Sequence, residues 1–229
     1  VFGPREGRLP ISPALSWISG IALVALAFST GFAAIDWILS LEPKFWSSIF
    51  PYTQSASWFN TGFALVLLTI ALIGWPAVDR RKHMIDLTQI LLATTIFWAY
   101  LEFMQFLIIW EENLKHEIPW YLKRLESVWH SAIYISAGLG FVVPFFVLLW
   151  APSKRRRAVV ATICALILIS RLGNTWLLVM PEFDSGTSFW LDVAAVLALG
   201  GAMLLLFAFA LRALPSIRAR VPAWRVDHA

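Results

Sequence analysis

A carboxylate and an amide interrupt one of the most apolar stretches of the chain, and they are its strongest candidates for chemistry. Glu102 and Gln105 lie within FWAYLEFMQFLIIW, residues 97–110, which is otherwise apolar apart from one tyrosine. A carboxylate in the hydrocarbon of a membrane costs roughly 2.5–3.5 kcal/mol on insertion scales, so it requires a reason. In a helix the two residues share a face with Trp98 and Ile109. We predict that this face contacts protein rather than lipid.

Other ionisable residues lie in neighbouring apolar runs and extend this candidate site. Such groups usually line proton, ion or ligand routes, or they neutralise one another in an ion-pair network that fixes helix packing. Both interpretations stay open. For Asp86 a helix cap, and for His130 an interfacial hydrogen bond, are the competing structural roles. The candidates for a proton pathway are Glu102, Gln105, His130, Arg171, Asp192 and Asp86.

Several kinds of chemistry have no support in the sequence. There is one cysteine, Cys164, and the four histidines are scattered, so an internal disulfide is excluded and a haem or iron–sulfur site is poorly supplied. No catalytic triad, phosphate-binding loop or metal-ligand pair is recognisable. The net charge of +4 is explained by membrane topology rather than by nucleic-acid binding. We therefore predict no catalytic residue and no metal site.

The composition places these residues in a membrane protein. The chain is 59% hydrophobic and 14% charged, against roughly half and a quarter in soluble domains. Apolar runs of about 20 residues are long enough to cross a bilayer. We predict an all-α polytopic bundle formed by a single domain, residues 1–229. Its helices are expected near 14–37, 56–76, 87–110, 128–150, 158–179 and 188–211.

The distribution of cations predicts the orientation. Basic clusters follow the second and fourth predicted helices, at 80–82 and 154–157, and further arginines lie near both termini. By the positive-inside rule both termini are cytoplasmic, and the loops near 38–55, 111–127 and 180–187 are outside. Most candidate polar groups then fall in the outer half of the membrane.

Two further expectations concern particular segments. The first outer loop, Leu41 to Tyr52, should pack over the outer mouth of the helix bundle, because its aromatic residues Phe45, Trp46, Phe50 and Tyr52 are too apolar to remain solvated. Anchoring of these rings in the membrane interface is the alternative. The fourth helix should kink around Pro144, which has no backbone N–H to donate.

Four stretches together resemble one membrane-protein family. They are AAIDWILSLEPKFWSSIF at 33–50, FWAYLEFMQFLIIWEENL at 97–114, IPWYLKR at 118–124 and WLLVMP at 176–181. The family is the integral-membrane F subunit of bacterial alternative complex III, a quinol:cytochrome c oxidoreductase, which is related to the NrfD-type subunits. The chain offers fewer helices than such subunits have, so the resemblance is to a short variant or to the C-terminal portion.

The resemblance implies a non-catalytic subunit in the bacterial inner membrane. Its partners would be other membrane subunits, including an NrfD-type subunit, together with iron–sulfur and cytochrome c subunits that carry the clusters and haem c. Quinol and lipid would surround it. The chain departs from the family pattern at Gly140 and Gly173, where the family tends to carry a histidine and an aspartate. The alternative is a stand-alone proton-coupled transporter or channel with Glu102, Arg171 and Asp192 as its substrate site.

Overall fold

The computed structural model describes residues 13–73, 80–125, 129–183 and 189–213. All its regular elements in these ranges are helical, which confirms the all-α class there. They are α1 (Pro13–Trp37), α2 (Phe50–Ile73), α3 (Arg80–Glu112), α4 (Ile118–Leu125), α5 (His130–Ala137), a π-helical turn (Gly138–Val142), α6 (Val143–Leu149), α7 (Arg157–Val179) and α8 (Phe189–Ala213), with short 3₁₀ turns at Leu39–Leu41, Ser153–Arg155 and Met180–Glu182.

Within the described residues, five helical segments are long and apolar enough to cross a membrane, which indicates a multi-pass membrane protein. They are Ser16–Leu41, Phe50–Leu72, Met84–Glu112, His130–Leu149 and Arg157–Glu182. The sixth expected span coincides with α8, whose apolar part, Val193–Phe209, is shorter. The chain divides after Glu182 into two units, and α8 belongs to the second. The sidedness of the termini stays a prediction.

The core of the first unit forms where α2, α3, α6 and α7 pack together. Leu67, Leu91, Leu148 and Ile167 are fully buried there, one from each helix. In a membrane, association of such helices depends on close van der Waals packing and on interhelical hydrogen bonds, because lipid is as apolar as leucine. The polar contacts described below therefore have a structural as well as a chemical role.

A second apolar cluster closes the end of this unit that carries α4 and the 38–49 segment, called the α4 end below. Phe45 and Phe50 are buried in it, and the Phe45 ring stacks on Trp120 with centroids 4.7 Å apart. The predicted packing of this segment is therefore right for these two residues. It is wrong for Trp46 and Tyr52, which are each 69% exposed, as amphipathic aromatic rings are at a membrane interface.

The charged segment after Trp110 contains a helix that the sequence analysis did not predict. Helix α4 begins at Ile118 with Pro119 in its first turn, where the missing N–H costs no helical hydrogen bond. Its last turn holds Lys123 and Arg124, which favourably face the negative end of the helix dipole. The segment thus carries both cations back against the membrane helices.

The fourth span accommodates Pro144 through the π-helical turn that precedes it. The ring of a proline clashes with the carbonyl four residues earlier, here that of Gly140, and an extra residue in the turn relieves this. Gly140 is buried against α7, where an added Cβ would overlap the Ser170 hydroxyl. That hydroxyl donates to the Ser136 carbonyl over 2.8 Å. The irregular turn therefore also sets the contact with α7.

We predict that Gly140→Ala lowers the free energy of unfolding by about 1–3 kcal/mol, the usual cost of overpacking. The new methyl group must displace Ser170 and break its bond to Ser136. Gly138→Ala is the matched control in the same span, because nothing lies within 4 Å of its added Cβ. Unfolding of both variants in detergent or bicelles gives the comparison. Equal stability of the two would contradict the proposed contact.

Candidate functional site

A buried polar cluster joins α2, α3 and α7 at the level of Arg171. The guanidinium carbon of Arg171 lies 3.4 Å from the centroid of the Trp98 ring, a cation–π contact. Its Nη2 donates to Asn60 Oδ1 over 3.2 Å. Asn60 Nδ2 in turn donates to the hydroxyls of Thr94 at 3.0 Å and Thr95 at 3.1 Å. Three helices thus contribute to holding one cation, of which only 4% is exposed.

Glu102 lies one helical turn beyond Trp98 and is the carboxylate of this cluster. It interacts electrostatically with Arg171 and lies beside Trp98 and Asn174. Among the described residues no direct ion pair joins Glu102 to Arg171, since the ion pairs found there involve other groups. The two charges therefore attract each other across a gap. The structure therefore places Glu102 and Arg171 in one cluster, and a role for them in proton transfer stays a prediction.

Three buried donors of the cluster make no hydrogen bond of ordinary geometry, although Trp98 lies within reach of the Glu102 carboxylate. They are Trp98 Nε1 and two atoms of Arg171, Nε and Nη1. Leaving a buried donor unpaired costs about 1–3 kcal/mol, and more when it is charged. Together with the Glu102 carboxylate, these donors form a polar site within otherwise apolar helices. The chemistry available to this cluster is proton exchange at the Glu102 carboxyl group under the influence of the Arg171 charge.

Gln105 belongs to a neighbouring hydrogen-bonded set. It is buried, receives a bond from Thr53 Oγ1 at 3.5 Å and donates to the Tyr121 hydroxyl over 3.3 Å. Burial, and secondly the charge of Glu102, raise the pKa of Tyr121 above its ordinary value, so this phenol remains protonated. Tyr121 therefore interacts electrostatically with Glu102 and accepts a hydrogen bond from Gln105. It links the two predicted residues, which are not hydrogen-bonded to each other.

A third set of charges, missed by the sequence analysis, closes the α4 end. Arg124 is 2% exposed, and its guanidinium donates to the carbonyls of Trp120, Leu177 and Leu178. It also pairs with Glu182 over 3.0 Å, and Lys123 reaches the same carboxylate over 2.9 Å. The sequence signal was present in Trp120 and Arg124, which are four residues apart and so share a helix face.

Ionisation within this third set is shifted by its surroundings. Burial lowers the pKa of Arg124, although the carboxylate of Glu182 opposes this. A hydrogen bond to Glu182, followed by burial, raises the pKa of Glu42 above its ordinary value. Glu42 therefore holds its proton to higher pH than a free glutamate and joins the first loop to the end of α7. The α4 end is cross-linked by charged hydrogen bonds.

The remaining predicted site residues lie elsewhere or outside the description. His130 is exposed at the first position of α5, with its ring 6.4 Å from that of Tyr134. Asp86 is exposed, and the cap predicted for it is wrong because α3 begins six residues earlier, at Arg80. Asp192 falls in α8, and its side chain lies outside the described residues.

Comparison with known proteins leaves the family resemblance without independent support. In the ranges that the structure describes, no three histidine, cysteine or acidic residues come together as metal ligands would. No family model matches the chain. No curated protein matches it significantly. The resemblance to the F subunit therefore rests on the four sequence stretches given above.

Proposed function

We propose that the chain is a membrane subunit of a respiratory quinol:cytochrome c oxidoreductase of the alternative complex III type, located in the bacterial inner membrane. It has no redox centre of its own and contributes to proton translocation, to assembly and to the quinone environment. Its partners are an NrfD-type membrane subunit and the subunits that carry iron–sulfur clusters and haem c. The four family-like stretches motivate the choice of complex.

The observation that carries the proton-transfer part is the position of Glu102 in the same polar cluster as the buried cation of Arg171, without a direct ion pair between them. Arg171 stabilises the ionised carboxylate, whereas the apolar surroundings stabilise the protonated acid. A relay requires a carboxyl group that can take both forms, and these two effects each favour one of them.

Hydrogen-bonded polar groups lie on both sides of Glu102 along α3. Thr95 precedes Glu102 by seven residues, so the Thr95–Asn60–Arg171 contacts extend over about 10 Å of α3. On the other side, Tyr121 and Gln105 continue towards the α4 end. Proton movement between Glu102 and that end is the step that the chain supports best. Proton transfer along the part of α3 between Asp86 and Thr95 would require water or groups from a partner subunit.

Affinity purification of the tagged chain from mildly solubilised native membranes tests the assignment. We expect it to copurify with subunits containing haem c and iron–sulfur clusters, which absorption and electron paramagnetic resonance spectra would detect. The tag placed on an unrelated membrane protein of the same cell is the control. Recovery of the chain alone, with proton-coupled transport after reconstitution, would reject the respiratory assignment in favour of a transporter.

A further inference from the structure

A cavity of about 810 Å³ lies between α1 and α3 at the α4 end, apart from the polar cluster around Arg171. Its size falls within the roughly 300–1,000 Å³ of small-molecule sites. Residues from α1, from the 46–55 segment and from α3 line it, and most of its wall is apolar. The cavity exists because α1 packs against α2, leaving the large side chains of Phe28 and Phe32 exposed beside α3.

Polar groups form the smaller part of the wall. Gln105 contributes a buried amide, whose Oε1 and Nε2 each have one hydrogen-bonding position left after their bonds to Thr53 and Tyr121. Glu112 and Glu117 add carboxylates, and three serines add hydroxyls, whereas none of the residues lining the cavity is a lysine or arginine. This wall accepts hydrogen bonds and repels anions.

The charge pattern selects the occupant. A phospholipid with an anionic head would place its phosphate against carboxylates, without a lining cation to compensate. A neutral head that donates hydrogen bonds instead complements the carboxylates and the free position on Gln105 Oε1. The apolar walls formed by Phe28, Phe32 and Trp46 suit a hydrocarbon tail, which burial there removes from the polar interface.

We propose that this cavity binds a neutral amphiphile with a hydroxyl-bearing head, placed towards Gln105 and Glu112, and an apolar tail that lies along Phe28 and Phe32. Hydroquinones and diacylglycerols share this chemistry. The site needs only the cavity, so it stands whether or not the chain works in a respiratory complex.

Binding to the purified full chain in phosphatidylcholine nanodiscs tests the proposal. The probes are a decyl-tailed benzohydroquinone kept reduced, its dimethyl ether, dioleoylglycerol and dioleoylphosphatidylglycerol. We expect saturable binding of the hydroquinone, of dioleoylglycerol, or of both, and at least tenfold weaker binding of the anionic lipid. Whichever of these two neutral probes binds shows whether the natural ligand is a hydroquinone or a diacylglycerol. Equal or tighter binding of phosphatidylglycerol would overturn the proposal.

Filling the cavity provides the matched comparison. Gly31 lines it, whereas Gly20, on the same helix, has nothing within 4 Å of an added Cβ. Gly31→Phe should weaken binding of the neutral probe at least tenfold and Gly20→Phe should leave it unchanged. Ile108→Trp, which fills the cavity from α3, serves if Gly31→Phe fails to fold. Undiminished binding to a folded cavity-filling variant, or binding of the dimethyl ether as tight as that of the hydroquinone, would also overturn it.

Discussion

In the assembled complex, Glu102→Gln is expected to slow quinol oxidation coupled to proton movement by about 100-fold or more, the scale on which removing a general acid or base acts. Glutamine keeps the shape of the side chain and its hydrogen bonding but cannot carry a proton. It also removes the carboxylate charge that acts on Arg171. Loss of proton transfer with retained assembly is therefore the expected result.

The measurements are the rate of quinol oxidation and the number of protons released per electron pair, both in liposomes. Glu111→Gln is the control, because Glu111 lies on the same helix but is exposed at its end. Unchanged rate and stoichiometry in Glu102→Gln would show that Glu102 has a structural role only. Failure of the variant complex to assemble would instead favour the ion-pair network, in which Glu102 neutralises Arg171.

Helix periodicity was sufficient to predict the face of α3 that carries Glu102. Trp98, Gln105 and Ile109 are all buried, as their spacing with Glu102 predicted. The prediction worked because a regular helix fixes which residues share a face, whatever surrounds it. The class of fold followed in the same way from the length of the apolar runs.

The contacts between helices were beyond the reach of the same reasoning. Whether Asn60 or another polar residue meets Arg171 depends on the rotation and depth of α2 against α7, which periodicity does not determine. The π-helical turn before Pro144 similarly depends on how α5 and α6 fit against Ser170. Helix α4 escaped prediction because its eight residues are too few to give a clear repeat. Sequence periodicity therefore predicts the helices, whereas the contacts that form the polar cluster depend on how the helices pack.

Arg124→Ala is expected to lower the free energy of unfolding by about 3 kcal/mol or more, within the range for breaking a buried pair. The change removes donors from the carbonyls of Leu177 and Leu178 as well as from Glu182. Those acceptors lie where water has little access, because Arg124 itself is 2% exposed. Each is then left with part of its desolvation cost uncompensated.

Lys123→Ala provides the control, since Lys123 pairs with the same carboxylate at a similar distance. Its side chain is 46% exposed, so the pair is screened by water and should contribute less than about 1 kcal/mol. Unfolding in bicelles measured by steric trapping would compare the two variants. Arg124→Lys should recover only part of the loss, because an ammonium cannot reproduce the planar set of donors that reaches three carbonyls and a carboxylate. If Arg124→Ala costs no more than Lys123→Ala, then the burial of Arg124 and its bonds to the carbonyls do not add to the stability of the α4 end.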